Sequence, residues 1–188
     1  MIEIQPTMGW IAFGLSMIGG ISIFALSILA TVKHDFQFFP PPSKQSWQHK
    51  AFIVLFRLYL YPLIALSVIN LLQDRPTIFQ YGIGTPLLGI GFGLAFWITF
   101  KMGWRNAFGE KRGLKTAGWF SWSRNPVYVF TWIGLIGWAL VINDWQVWCL
   151  LALWGLMYWA APRFEEPWLE REYGDTYSAY KARVPRFF

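Results

Sequence analysis

Residues 8–32 read MGWIAFGLSMIGGISIFALSILATV, an uncharged run as long as the roughly 20 residues that carry an α-helix across a hydrocarbon core about 30 Å thick. Comparable apolar runs follow at 51–72, 81–100, 126–142 and 146–161. With 55% of its 188 residues hydrophobic and 14% charged, the chain carries more apolar surface than a soluble fold of this size covers, so the bilayer must be part of its solvent. The expected fold is all-α: one polytopic membrane domain over 1–188 with five transmembrane helices. Glu3 is the only ionisable side chain before the first run, and a cleaved signal would carry basic residues there, so that span reads as retained. Cys149 is the single cysteine, which excludes an intrachain disulfide.

Charge orients the spans, because cytoplasmic connections carry an excess of Lys and Arg. Lys33, Lys44 and Lys50 follow span one. Arg105, Lys111, Arg112, Lys115 and Arg124 lie between spans three and four, and Arg163, Arg171, Lys181, Arg183 and Arg186 follow span five. The opposite connections hold only Arg75, so the N-terminus is expected outside and the C-terminus in the cytoplasm. The net charge of +6 is thus an orientation signal, and no nucleic-acid partner is expected. Arg57 sits about two turns inside span two, within snorkelling reach of the interface, and Lys101 reads as an anchor. Trp10, Trp104, Trp122, Trp145 and Trp168 near span ends suit an aromatic belt, whereas the deeper Trp132, Trp138 and Trp154 read as helix packing.

Any chemistry must come from the soluble connections and the span ends. Phe39-Pro40-Pro41-Pro42 reads as a stiff structural connection. The segment 163–188 predicts a C-terminal amphipathic interfacial helix starting near Glu165, with Trp168, Leu169, Tyr173, Tyr177 and Tyr180 on one face and an interruption at Gly174. Spans four and five are separated only by the turn containing Asn143 and Asp144, which predicts an antiparallel hairpin with Pro126 in its first turn. A hairpin returns the chain to the face it left, so Arg124, Asn125 and Tyr128 are expected to meet Arg163, Glu165 and Glu166 at one rim. Adjacent carboxylates among cations at the mouth of an apolar bundle are a candidate site; equally, Arg124 could be an anchor and the glutamates a helix start.

The run Ser123-Arg124-Asn125-Pro126-Val127-Tyr128, then Glu165-Glu166-x-x-Leu169, Tyr173-Gly174-x-x-Tyr177-x-x-Tyr180 and Val184-Pro185-Arg186, resembles the isoprenylcysteine carboxyl methyltransferases and their phospholipid N-methyltransferase relatives. Gly118-Trp119-Phe120 resembles the family's lead-in to that motif, and Met102-Gly103-Trp104-Arg105 a further family element. The resemblance implies an integral membrane methyltransferase dependent on S-adenosylmethionine, with a lipophilic acceptor arriving through the membrane lipids. It implies cofactor binding by Gly118, Trp119, Phe120, Arg124, Asn125, Pro126, Tyr128, Glu165 and Glu166, with Arg124 and Arg163 as catalytic candidates and no metal. Arginine suits the ligand's carboxylate and glutamate its hydroxyl or ammonium groups.

The family usually has histidine where this chain has Asn125, which cannot exchange a proton near neutral pH. That slightly favours an acceptor already nucleophilic, such as a carboxylate or thiolate, over a protonated amine. Gly89, Gly91 and Gly93 resemble a cofactor-binding Gly-x-Gly element, but their place inside an apolar span reads more readily as a surface for close helix packing. Two other functions fit parts of the pattern. Membrane sterol reductases carry a similar Arg-x-Pro-x-Tyr and use NADPH, and the loss of the histidine would suit a catalytically silent membrane scaffold.

Overall fold

A computed structural model describes residues 6–33, 36–38, 41–43, 45–103 and 113–188. Glu3, His34, Phe39, Pro40, Lys44, Trp104, Arg105, Lys111 and Arg112 lie outside the described residues. Among the described residues every regular element is helical: α1 (Pro6–Val32), α2 (Trp47–Gln73), α3 (Ile78–Met102), a 3₁₀ turn (Gly118–Ser121), α4 (Pro126–Ile142) and α5 (Trp145–Arg183). Local capping sets several boundaries. Ser46 accepts from the His49 amide at the start of α2, and Thr77 and Gln80 form a reciprocal capping box at the start of α3. Asn143, in the left-handed region at φ 50°, ends α4, and Asp144 caps α5 through the Val147 amide, which makes the hairpin turn two residues long.

α1, α2 and α3 are long and apolar enough to cross a bilayer. α4 is apolar but has 17 residues, about 26 Å at 1.5 Å per residue.

Glycine permits the closest helix crossings. A methyl group at Gly91 or Gly137 would overlap the backbone of Gly134 or Leu88, so α3 and α4 touch backbone to backbone. Gly19 does the same for α1 against Leu55 and Tyr59 of α2, where Ser16 Oγ also donates to the Tyr59 carbonyl at 2.8 Å. The close-packing expectation for α3 therefore holds at Gly91 alone of the three glycines. Gly89 and Gly93 face open space, because a residue two positions away on a helix points to the opposite side.

The deep tryptophans pack helices. Trp132 Nε1 donates to the Gly155 carbonyl, Trp138 Nε1 donates to Ser67 Oγ, and Trp154 lies against Phe56, Tyr59 and Phe92 in the central cluster. Tyr59, fully buried, donates to the Leu150 carbonyl and ties α2 to α5.

The segment after span five differs from its expectation. No new helix starts at Glu165: α5 runs unbroken through Pro162 and Pro167 and turns only at Gly174, at φ 50° and ψ −130°. The helix-start reading of the two glutamates is thereby excluded. The aromatic face beyond them does not lie open to an interface either. Tyr177, Tyr180 and Val184 are buried against Leu114, Phe120, Leu169 and Tyr173, because apolar side chains preceding α4 cover them.

Candidate active site at the mouth of the α4–α5 hairpin

The hairpin brings Tyr128, in the first turn of α4, onto Glu165 of α5, and the phenol donates to Glu165 Oε1 at 2.5 Å. Tyr158, two turns back along α5, lies against the Tyr128 ring with centroids 4.6 Å apart. Glu165 Oε2 has no partner among the described residues. Burial pushes the Glu165 carboxyl up to about 7; the Tyr128 hydrogen bond opposes the rise and the neighbouring Glu166 charge adds to it.

Glu166 points the other way along the mouth. Arg186 takes both of its oxygens, Nε to Oε1 at 2.8 Å and Nη2 to Oε2 at 2.7 Å. Arg124 reaches Oε1 end-on at 3.2 Å and Lys181 stands 3.8 Å from Oε2. Burial alone would raise this carboxyl, but the Arg186 hydrogen bonds and the charges of Arg124, Arg186 and Lys181 hold it below the usual carboxylate range. The two adjacent glutamates therefore do different work: one is saturated by cations, the other is half free.

Arg124 is about as buried as Glu166, with side chains 8% and 7% exposed. One of its terminal nitrogens also donates to the Tyr177 hydroxyl at 3.3 Å, while its Nε is buried with no hydrogen-bond partner. Burial pushes the Tyr177 and Tyr180 phenols up to about 12, so both stay neutral donors near neutral pH.

The C-terminal residues form a wall of the same mouth. The Arg124 amide donates to the Pro185 carbonyl at 3.0 Å, and Asn125 Nδ2 and Ser123 Oγ both donate to the Arg186 carbonyl. Phe187 lies on Trp132, centroids 4.8 Å apart. Ser123 and Arg186 were not singled out as site residues from the sequence. The Val184-Pro185-Arg186 ending was visible there, but its docking to Ser123 spans 63 residues and leaves no local signal.

The remaining expected residues divide. Pro126 is buried as the first residue of α4. Phe120 takes a hydrogen bond on its carbonyl from Tyr180 at 2.6 Å, Trp119 packs on Phe130, and Gly118 holds φ 66° at the start of the 3₁₀ turn. Among the described residues, none of these three hydrogen-bonds to Glu165 or Glu166. Arg163 is not brought into the cluster: it is exposed, stacked 3.6 Å over the Trp159 ring, with Nη1 donating to that residue's carbonyl. Arg163 lies two positions from Glu165, on the opposite side of the helix, and its side chain folds back one turn onto Trp159 instead of reaching Glu166.

The phospholipid methyltransferase family model matches residues 79–176, just over half of the chain, from the start of α3 through both glutamates. The chain belongs to this family. No curated protein and no solved structure shows a significant match. Membership makes the chain a membrane methyltransferase, in keeping with its apolar helices, and lends no support to a nicotinamide-dependent reductase. The family match ends before Tyr177, Tyr180 and Arg186, so the wall that saturates Glu166 lies beyond the matched stretch.

Proposed function

We propose that the chain uses S-adenosylmethionine, held at the α4–α5 mouth, to methylate a lipophilic acceptor that arrives from the bilayer. The observation that carries this reading is the presence in one mouth of an unpartnered, buried guanidinium nitrogen at Arg124 and an unpartnered carboxylate oxygen at Glu165. A buried orphaned donor such as Arg124 Nε is costly unless a ligand satisfies it, and a cation beside a carboxylate complements the zwitterionic end of an amino-acid-like ligand. The cofactor, when bound, supplies an electrophilic methyl group on sulfur. Arg124 holds its carboxylate end, Tyr128 fixes the Glu165 carboxyl, and Tyr158 and Trp132 keep water from the membrane side of the mouth.

Glu165 also changes the acceptor expected. The missing histidine favoured an acceptor needing no base, but a carboxyl near 7 takes a proton at neutral pH. Glu165 removes the proton from an ammonium headgroup, and the freed nitrogen lone pair receives the methyl. A lipid bearing an amine headgroup is therefore the acceptor we infer.

In the membrane, α4 and the first half of α5 cross with α1, α2 and α3, giving five spans, N-terminus outside and C-terminus cytoplasmic. The shortness of α4 is met by local thinning of the bilayer. Support comes from the far end of the hairpin, where Asn70, Asp74, Arg75, Gln80, Asn143 and Asp144 line one polar cleft of about 330 Å³. Both outer turns thus share a side, opposite the basic mouth.

Titration calorimetry on the detergent-solubilised protein tests the proposal. S-adenosylmethionine binds, NADPH does not, and Arg124→Gln weakens binding about tenfold or more. Absence of binding, or an unchanged affinity in Arg124→Gln, overturns it.

A further inference from the structure

We propose that Arg186 is a positioning residue of this site, which keeps Arg124 available for an anionic ligand group by withholding Glu166 from it. The inference rests on the reading of Arg124 as the partner of the ligand carboxylate. Without Arg186 the geometry favours the wrong pair. Arg124 and Glu166 are both nearly buried and already 3.2 Å apart, and an isolated arginine and carboxylate at that range close into a two-point contact that neutralises both. Arg186 prevents this by occupying Oε1 through Nε and Oε2 through Nη2. Arg124 is left with one end-on contact to Glu166 and a bond to the Tyr177 hydroxyl, both through Nη1, and its Nε stays unpartnered.

Lys181 cannot replace Arg186. It stands 3.8 Å from Glu166 and is engaged with Glu170 at 2.7 Å, and its ammonium is a point charge that cannot span two oxygens. The backbone holds the arm independently of the charge. The Arg186 carbonyl is taken by Asn125 and Ser123, and the Pro185 carbonyl by the Arg124 amide, so an uncharged side chain at 186 leaves those three bonds in place. The guanidinium of Arg186 and its backbone thus have separable roles, one electrostatic and one structural.

The test compares S-adenosylmethionine affinity, by calorimetry, across wild type, Arg186→Gln, Glu166→Gln and Arg186→Gln/Glu166→Gln, with a melting curve for each. Arg186→Gln is expected to weaken binding about tenfold, the scale of one charge-assisted contact. Adding Glu166→Gln removes the competing carboxylate and restores affinity to within about threefold of wild type. Glu166→Gln alone binds as tightly as wild type or more tightly. A double variant as weak as Arg186→Gln overturns the proposal, because a residue needed only to anchor the arm is not rescued by a second loss at its partner. If Arg186→Gln does not fold, Arg186→Lys is read the same way, since lysine frees one Glu166 oxygen for Arg124. Wild type that fails to bind at all sinks the cofactor reading and this inference together; wild type that binds while rescue fails sinks only the latter.

Discussion

Tyr128 and Glu165, 37 residues apart, share a 2.5 Å hydrogen bond that closes the mouth of the α4–α5 hairpin. The contact joins the first turn of one helix to the far part of the next, so the hairpin turn at Asn143 and Asp144 sets its register. It also separates the two glutamates chemically. Glu165 faces a phenol and apolar surroundings, Glu166 faces three cations, and neighbouring positions acquire opposite proton affinities.

Glu165→Gln should lower the rate of methyl transfer to an amine-headgroup lipid about a hundredfold or more, the usual contribution of a general base. Wild-type kcat/KM should rise with pH to a plateau above about 7, as the carboxyl loses its proton, and this limb should vanish in the variant. Cofactor affinity should fall too, because the same carboxylate complements the ligand's ammonium end, but by less than the rate. A rate that stays high, or a loss confined to cofactor binding, removes the base role.

Tyr128→Phe deletes the hydrogen bond that lowers the Glu165 proton affinity. The remaining influences, burial and the Glu166 charge, both raise it, so the rising limb of the pH profile should move above 7. A shift to lower pH would contradict the assignment of that limb to Glu165.

Stability should respond to pH in opposite directions at the two glutamates. The raised Glu165 carboxyl disfavours the folded state as it ionises, so Glu165→Gln should gain melting temperature over wild type above pH 7, with the gain shrinking as pH falls from about 7 toward 4.5. Glu166 is depressed, so its contribution is present above the ordinary carboxylate value and lost as pH falls through its lower folded value. Glu166→Gln should therefore be the less stable protein at neutral pH and approach wild type in acid. Melting curves across this pH range check both signs.

At the α3–α4 crossing, Gly91→Ala or Gly137→Ala should destabilise by about 1–3 kcal/mol, because the added methyl meets backbone that cannot move aside. Gly89→Ala and Gly93→Ala meet nothing within 4 Å and should fold as wild type. If Gly89→Ala nevertheless abolishes cofactor binding in a folded protein, a Gly-x-Gly cofactor element in α3 is the better reading.

Topology is open to cysteine labelling in a background lacking Cys149. Cysteines at positions 33 and 50 should react from the cytoplasmic side and one at 74 from the other. Reaction of 50 and 74 from the same side would end the five-span arrangement.

Much of the fold could be read locally. Apolar runs marked α1 through α4 and the start of α5, because length and hydropathy are properties of consecutive residues, and the Asn143-Asp144 turn marked the hairpin. The continuation of α5 past Glu165 was hidden. Pro162 and Pro167 signal a break to any local reading, yet the helix passes both, and the aromatic face beyond them is covered by Leu114 and Phe120 from a distant segment. Arg163 was grouped with the glutamates by proximity in sequence, but the helical turn carries it onto the Trp159 ring.

By itself, then, the sequence determined that this chain is a membrane protein built of apolar helices, and that Arg124, Tyr128 and the two glutamates collect at one mouth. Those properties follow from runs of side chains and from one short turn. Only the tertiary structure decided which glutamate is free and which is held. Arg186 reaches Glu166 across 20 residues, and Tyr128 reaches Glu165 across 37. Proton affinity depends on what surrounds a carboxyl in space, and identical neighbours in the chain carry no record of that difference.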